Sequence, residues 1–144
     1  MKYDSLKIED QLCFPLYAAS KEIIRKYKPL LDKIDLTYTQ YITMMILWDS
    51  DSINVKELGS KLYLDSGTLT PLLNKLETKG LVKKKKNKDD ERNLVVTLTE
   101  KGLKLKDEAI DIPNGIKKCV NLTEEEALFL YKILYKILKE MEDN

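Results

Sequence analysis

Histidine is absent from the 144 residues of this chain, and the two cysteines, Cys13 and Cys119, are 106 positions apart. Without histidine the chain lacks the usual general base and the commonest metal ligand, which excludes His-based triads and His-containing zinc sites. Two cysteines form neither a four-cysteine metal site nor a disulfide framework. We therefore expect neither a metal nor a cofactor.

Long apolar runs are also missing, and we expect no signal peptide. No run approaches the roughly 20 apolar residues that cross a membrane, and the first residues, MKYDSLKIEDQL, contain no signal-peptide core. These absences predict a cytoplasmic protein without a membrane partner, in a compartment where thiols are normally reduced. Glycine (5) and proline (4) are scarce, so we expect long, mostly helical elements.

Net charge is small, but its distribution is uneven. The formal charge is +1 overall, with 0 in residues 1–50, +3 in residues 51–98 and −2 in residues 99–144. Seven basic residues fall within the fourteen positions 79–92. Such a stretch is typical either of a solvated face or of a surface that binds nucleic acid.

Apolar spacing predicts two helices before the basic stretch. The first covers residues 12–31. Pro15 favours a start near residues 11–13 over a longer kinked helix, and Pro29 is expected to break or bend its far end. The second helix covers residues 38–49, with Thr37 or Thr39 as its cap. Its predicted inner face consists of Tyr41, Met44, Met45 and Trp48.

The middle of the chain has the order of a winged helix-turn-helix. A one-bridge strand at residues 53–54 precedes helices over 55–62 and 67–79, the latter capped by Ser66 or Gly67 and followed by Gly80. Alternating residues then predict strands over 81–86 and 93–98, with a charged turn between them. In such units the start of the second helix faces base edges in the major groove.

Three more predictions cover the end of the chain. A helix is expected over residues 99–108, with an interruption at 111–115. Thr123 and Glu126 have the spacing of a capping box, so a long helix with an apolar seam is expected to run from there almost to the C-terminus.

Residues near the predicted recognition helix and hairpin suit DNA. Short hydroxyl side chains at a helix start fit a groove, the helix N-terminus favours phosphate, and lysines on the hairpin would lie along the backbone. An arginine at the tip, held by an acidic neighbour, would reach a minor groove. The alternative is that the hydroxyls only cap a helix and the lysines are solvated. The predicted contacts are Asp65, Ser66, Gly67, Thr68, Thr70, Lys75, Lys84, Lys86, Lys88, Asp90 and Arg92.

Two sets of motifs resemble a known family along nearly the whole chain. LDSGTLTPL (64–72), DDER (89–92) and LTEKG (98–102) resemble the recognition helix, wing and exit of the MarR regulators. DQLCF (10–14), LYA (16–18) and YKPLLDK (27–33) resemble the organic-hydroperoxide-sensing OhrR branch.

The resemblance implies a mainly α fold, a winged helix-turn-helix with a small β-hairpin wing, in which the N- and C-terminal helices form a dimerisation domain. It implies a sensor region at 1–36, a DNA-binding domain at 37–100 and dimerisation helices at 101–144. The implied function is that of a homodimeric regulator, a repressor rather than an enzyme. It would bind a pseudo-palindromic double-stranded DNA and release it when organic hydroperoxide is present.

The resemblance also assigns roles to single residues. Cys13 matches the peroxide sensor, Tyr27 and Tyr38 match tyrosines that hydrogen-bond its sulfur, and Tyr17 matches one that comes across the dimer. As in the two-Cys members, Cys119 of the other chain is the expected disulfide partner. Capping of Cys13 by a small cellular thiol remains the alternative.

General chemistry supports a sensor role for Cys13. Only a thiolate attacks a peroxide bond, a helix N-terminus favours negative charge, and tyrosine hydroxyls can donate to the sulfur. Apolar neighbours such as Phe14 and Leu16 would favour an organic peroxide. The alternative is that Cys13 is a small core residue.

Three other functions stay open at this stage. A thiol peroxidase using Cys13 would consume hydroperoxide continuously, with Arg25 or Lys26 as supporting cations. A MarR-type regulator controlled by a phenolic ligand would release DNA without an oxidant. A purely structural helical dimer would not bind DNA at all.

Overall fold

A computed structural model describes residues 1–87 and 93–142, and it is predominantly helical, as predicted. Two short 3-10 turns, Asp4–Leu6 and Ile8–Asp10, precede the first long helix. The elements that follow are α1 (Cys13–Asp32), α2 (Tyr38–Ser50), β1 (Ser52–Asn54), α3 (Val55–Leu62), α4 (Ser66–Thr78), β2 (Val82–Lys86), β3 (Leu94–Leu98), α5 (Glu100–Ala109), α6 (Ile112–Lys117) and α7 (Glu124–Glu142).

Helix α1 begins where Pro15 predicts and continues past Pro29. Pro15 lies in the first turn, where a missing N–H costs no hydrogen bond. Of the two predicted effects of Pro29, the break is wrong, because α1 ends at Asp32. Leu31 is 2% exposed in the core, and Leu30 lies against Gly115 of α6. This packing offsets the lost backbone hydrogen bond.

Helix α2 starts with a complete capping box. Thr37 Oγ1 accepts from the Gln40 N–H, and the Gln40 side chain accepts from the Thr37 N–H. The helix buries Met44 and Leu47 completely. The predicted inward position of Met45 is wrong, since its side chain is 45% exposed. One residue along a helix turns the side chain by about 100°, so Met44 and Met45 cannot share a face.

The helix-turn-helix consists of α3 and α4. Asn54 caps α3, and Tyr63 ends it in the left-handed conformation at φ 57°. The cap of α4 is Asp65, not Ser66 or Gly67 as predicted, because its carboxylate accepts from a first-turn N–H. Pro71 lies inside α4, in its second turn.

One face of α4 carries a buried stripe of leucines. Its members are all at most 7% exposed: Leu69, Leu72, Leu73 and Leu76. Gly80 follows the helix at φ +76°, as the predicted C′ glycine. The recognition helix is thus held on the core by one face while its other side chains remain exposed.

The wing is a three-stranded antiparallel sheet with the order β1-β3-β2. Three residue pairs join β1 to β3, so β1 is more than the predicted single bridge, and five pairs join β2 to β3. Ile53, Val82 and Val96 attach the sheet to the core. The predicted hairpin tip, residues 88–92, lies outside the described residues.

Three helices follow the wing. The first of them, α5, is capped by Thr99. The predicted interruption at 111–115 is shorter than expected: α6 already begins at Ile112, because Pro113 fits a first turn. Helix α7 begins with the predicted capping box of Thr123 and Glu126. No residue of α7 is fully buried, so its apolar seam faces outward in the single chain.

No helix in residues 1–87 or 93–142 is long and apolar enough to cross a membrane.

Candidate thiol and nucleic-acid sites

The start of α4 presents polar side chains to solvent. Asp65 Oδ1 accepts from the Thr68 N–H at 2.8 Å, and this backbone hydrogen bond lowers the pKa of Asp65. Ser66, Gly67, Thr68 and Thr70 are all exposed. The Asp65 carboxylate is used to cap the helix and so fixes its first turn. The four exposed residues that follow remain accessible to a ligand.

The predicted lysines lie on α4 and on the neighbouring strand. Lys75 and Lys86 are exposed. The Lys84 N–H donates to Glu77 Oε2 at 3.0 Å, and its ammonium contacts the Asn74 side chain. Strand β2 is thereby fixed to the recognition helix. Lys88, Asp90 and Arg92 lie outside the described residues.

Helix α3 supplies further polar residues that the sequence reasoning missed. Lys56 and Ser60 are exposed and line a cavity of about 730 Å³, together with Asp65 and Ser66 at the start of α4. The first helix of a helix-turn-helix crosses the DNA backbone. The lysines within the predicted helix 55–62 were the signal in the sequence that could have pointed to this surface.

The end of α7 reaches the same region. Tyr63 donates from its hydroxyl to Glu142 Oε1 at 2.7 Å, and this hydrogen bond raises the pKa of Tyr63. The contact connects the C-terminal helix to the turn between α3 and α4.

Cys13 is the first residue of α1 and is exposed. The preceding Leu12 provides no side-chain cap, so first-turn N–H groups are available to a negative charge on the sulfur. An exposed thiol is not a core residue of this chain, which removes that alternative.

The single chain does not bring Cys13 to the tyrosines as the resemblance implied. Tyr27 is fourteen positions further along the same helix, which is about 21 Å at 1.5 Å per residue. Tyr38 packs against Tyr27, with ring centroids 4.9 Å apart. Tyr17, by contrast, follows Cys13 by four residues and lies on the same helix face. Within one chain, Tyr17 is therefore the tyrosine near Cys13, and Tyr27 and Tyr38 lie far from its sulfur.

Tyr27 and Tyr38 belong to an aromatic cluster. Tyr41 packs 5.9 Å from Tyr27 and 6.4 Å from Trp48, measured between ring centroids. Burial raises the pKa of Tyr27, Tyr38 and Tyr41 above the ordinary value of 10.0. These phenols therefore remain protonated hydrogen-bond donors at neutral pH.

An apolar groove of about 480 Å³ runs between α1 and α7 next to Cys13. Leu12, Pro15 and Leu16 line the end near the thiol. Ile24 of α1 and Tyr38 of α2 line the groove further away, and α7 contributes Leu130 and Leu134. The groove suits an apolar ligand better than hydrogen peroxide.

Cys119 is also exposed, but it lies at the other end of α1. Its Sγ donates to the Gly115 carbonyl at 3.5 Å, and Gly115 lies against Leu30. Leu30 is seventeen positions from Cys13, about 26 Å along α1. A disulfide needs Cα atoms within about 7 Å, so these two cysteines cannot pair within one chain.

The cations suggested for a peroxidase are distant as well. Arg25 is twelve positions from Cys13, about 18 Å along α1, and it pairs with Glu22 at 3.5 Å. In the described ranges no group of three or more Cys, Asp or Glu residues could hold a metal ion.

The three-stranded wing beside a helix-turn-helix defines a winged-helix DNA-binding protein. Residues 25–109 match the model of the transcriptional regulator SarA/Rot family. The chain belongs to this family, a MarR-like winged-helix group of DNA-binding transcriptional regulators rather than enzymes.

Several relatives are similar over most of the chain. The organic hydroperoxide resistance transcriptional regulator of Bacillus subtilis (strain 168) is 45% identical, over 97% of this chain and 95% of its own length. The structure of reduced AbfR bound to DNA, a protein of Staphylococcus epidermidis, is 31% identical with a TM-score of 0.79, covering 98% and 99% of the two chains. Disulfide-formed AbfR is 30% identical with a TM-score of 0.67, covering 98% and 96%. A mutant Escherichia coli MarR complexed with operator DNA is 26% identical with a TM-score of 0.79, covering 94% and 97%.

These similarities confirm the predicted family and fold class. The chain is a transcriptional regulator of the MarR, OhrR and SarZ type.

Proposed function

We propose that this regulator is a homodimeric repressor that binds a pseudo-palindromic DNA and releases it when organic hydroperoxide oxidises Cys13. The observation that carries the proposal is the exposed thiol in the first turn of α1, beside an apolar groove. The identity to a Bacillus organic hydroperoxide regulator supports the choice of signal.

The proposed chemistry has two steps. The Cys13 thiolate attacks one peroxide oxygen, the O–O bond breaks, and sulfenic acid and an alcohol result after proton transfer. The thiolate of Cys119 from the second chain then attacks that sulfur and forms a disulfide, and the S–O bond breaks to release hydroxide, which takes up a proton to become water. The long distance between the cysteines within one chain supports a bond between chains, and a disulfide-formed structure of a relative is known.

The proposed sensing and DNA-binding functions belong to different parts of the chain. Residues 1–36 and 101–144 are proposed to form the dimerisation and sensor arms, with Tyr27 and Tyr38 of one chain donating to the sulfur of the other. Residues 37–100 are proposed to bind DNA, through the start of α4 and the basic hairpin. The DNA contacts proposed there are those predicted from the sequence, with Lys56 and Ser60 added.

Oxidation is proposed to change the spacing of the two recognition helices. A dimer reads half-sites about one helical turn of DNA apart, so a shift of the arms lowers affinity for that spacing. Because lysines contact phosphates, binding of the reduced protein should weaken steeply with salt.

The experiment combines mass spectrometry, gels and DNA binding. The probe is a duplex selected from a random library by the reduced protein, and the oxidant is one equivalent of cumene hydroperoxide. We expect oxidation at Cys13, a covalent dimer on a non-reducing gel and loss of DNA binding. Cys119→Ser should abolish the covalent dimer but leave Cys13 oxidation intact. Loss of DNA binding that persists in Cys13→Ser would refute the sensor assignment.

A second candidate function is control by a small phenolic ligand. A cavity of about 290 Å³ lies between α1 and the start of α2, lined in part by Arg25, Lys28 and Tyr38. These cations and the phenol would suit an aromatic acid. Release of DNA by salicylate from Cys13→Ser, without oxidant, would favour this function over thiol oxidation.

A further inference from the structure

Lys79 joins the recognition helix to the start of α2. It is the C-cap of α4, and its side chain is 29% exposed. The ammonium donates to Gln40 Oε1 at 3.0 Å and to the Asp35 carbonyl, and it lies 3.8 Å from the Asp35 carboxylate. A lysine near a helix end usually complements the helix dipole in solvent. Here the ammonium leaves its own helix and bonds to another element.

Gln40 connects this contact to the capping box of α2. The residue is 3% exposed, and its Oε1 also accepts from the Thr37 N–H at 3.1 Å. Tyr38, the residue after Thr37, is the first of α2 and packs on Tyr27. A displacement of Tyr38 would therefore move the first turn of α2, residues 37–40, to which the Lys79 side chain is bonded.

The backbone of the same joint is tied to α5. The Lys79 carbonyl accepts from Lys101 Nζ at 2.8 Å, and the Gly80 carbonyl accepts from Thr99 Oγ1 at 2.6 Å. The end of α4 is thus held between the tyrosine-bearing helix and the helix that leaves the wing.

We propose that Lys79 is a positioning residue that couples the tyrosine region to the recognition helix, so that oxidation of the sensor thiol reorients α4. The inference rests on the proposed sensor function. It assigns Lys79 no contact with DNA, because it lies thirteen positions from Ser66, about 20 Å along α4.

The test compares Lys79→Met with Lys33→Met. Both remove one lysine charge next to the α1–α2 connection, but in the described part of the chain Lys33 makes no hydrogen bond to α2 or α4. Gln40 keeps its Thr37 bond in Lys79→Met, so the capping box is retained. Lys79→Arg keeps a cation and should restore coupling.

Fluorescence anisotropy is used to measure the dissociation constants of the oxidised and the reduced protein for the library-selected duplex. The quantity compared between variants is the ratio of the oxidised to the reduced value. For the unmodified protein we expect a ratio of about 5- to 150-fold. Lys79→Met should lower that ratio by about two- to thirtyfold, while Lys33→Met keeps it. The salt dependence of the reduced protein should not change in either variant.

Two results would overturn the coupling role: an unchanged ratio in Lys79→Met, or a salt slope smaller by about one, which would mean a phosphate contact. Failure of the sensor proposal is seen separately. In that case the unmodified protein keeps its DNA affinity although mass spectrometry finds Cys13 oxidised.

Discussion

Single side chains determine how the thiol and its tyrosines can act. Cys13 is accessible at a helix start, whereas the hydroxyls of Tyr27 and Tyr38 belong to a half-buried aromatic cluster on another part of the chain. Because burial raises the pKa of these phenols, they are donors and not bases at neutral pH. This suits stabilisation of a thiolate by hydrogen bonds.

The raised pKa values predict a loss of stability at alkaline pH. A group with a raised pKa in the folded state stabilises the protein fully below its unfolded pKa, and the contribution is lost as pH rises through the folded pKa. For Tyr27, Tyr38 and Tyr41 the loss begins above the ordinary value of 10.0. Urea unfolding at pH about 8 and about 10.5 should show the decrease, with tyrosinate absorbance as the probe of ionisation. Ionisation of all tyrosines below the ordinary value would contradict it.

Gly102 lies where the surrounding backbone leaves no space for a side chain. A Cβ there would lie 2.2 Å from the Leu81 carbonyl oxygen, and the Gly102 carbonyl accepts from Trp48 Nε1 at 2.9 Å. Gly102→Ala should lower the free energy of unfolding by about 1–3 kcal/mol, because backbone has to move.

Gly67→Ala is the matched control for that substitution. Its Cβ would meet only Asp65 Oδ1 at 3.4 Å, which is an ordinary contact. Since alanine favours helix, this variant should keep stability or gain up to about 1 kcal/mol. Equal losses in both variants, measured by urea unfolding, would show that the close approach at Gly102 is not the cause.

At the scale of elements, packing overrides local helix rules. Pro29 and Pro71 both lie inside helices, while Pro113 lies at a helix start. The buried leucines of α4 keep that helix continuous despite Pro71. The recognition helix is therefore held by its contacts with the core more than by its intrinsic preference.

Replacing Pro71 with alanine should stabilise the protein. The new N–H can donate to the Gly67 carbonyl four residues earlier, and a proline inside a helix costs up to about 3 kcal/mol relative to alanine. Pro113→Ala is the control, since a first-turn N–H has no helical acceptor. Urea midpoints that rise equally for both variants would contradict this explanation.

For the whole molecule, the single chain leaves much apolar surface uncovered. Tyr131 and Tyr135 of α7 are 58% and 51% exposed, and Phe14 and Tyr17 of α1 are 44% and 62% exposed. Large apolar side chains that are exposed together often mark an interface. They support the dimer in the proposed function.

Tyr131→Glu should weaken the dimer, because it places a charge on the apolar seam of α7 and removes a ring packed 4.6 Å from Tyr135. Sedimentation of the dilute protein should then find a larger monomer fraction. Lys136→Glu, on the polar side of the same helix, should remain dimeric. A monomer in the unmodified protein would contradict the proposed assembly.

The order of elements, the leucine stripe of α4 and the caps at Thr99 and Thr123 were predictable from the sequence, because periodicity and capping depend on residues within one or two turns of each other. Cys13 and the basic stretch could be proposed as site residues because they lie in short motifs that resemble those of a known family. The true cap of α4, Asp65, needed the geometry of the turn.

Tertiary structure alone decided how these parts are connected. The contact of Lys79 with Gln40 joins residues 39 positions apart. The separation of Cys13 from Cys119 depends on an α1 that stays continuous past Pro29, because Leu30 of α1 lies against Gly115 beside Cys119. Such contacts depend on packing between residues that are far apart in the sequence. Local periodicity and capping patterns carry no information about the free energy of that packing. The sequence therefore determined which elements and reactive groups this protein has, and the packing determined which of them can meet within one chain.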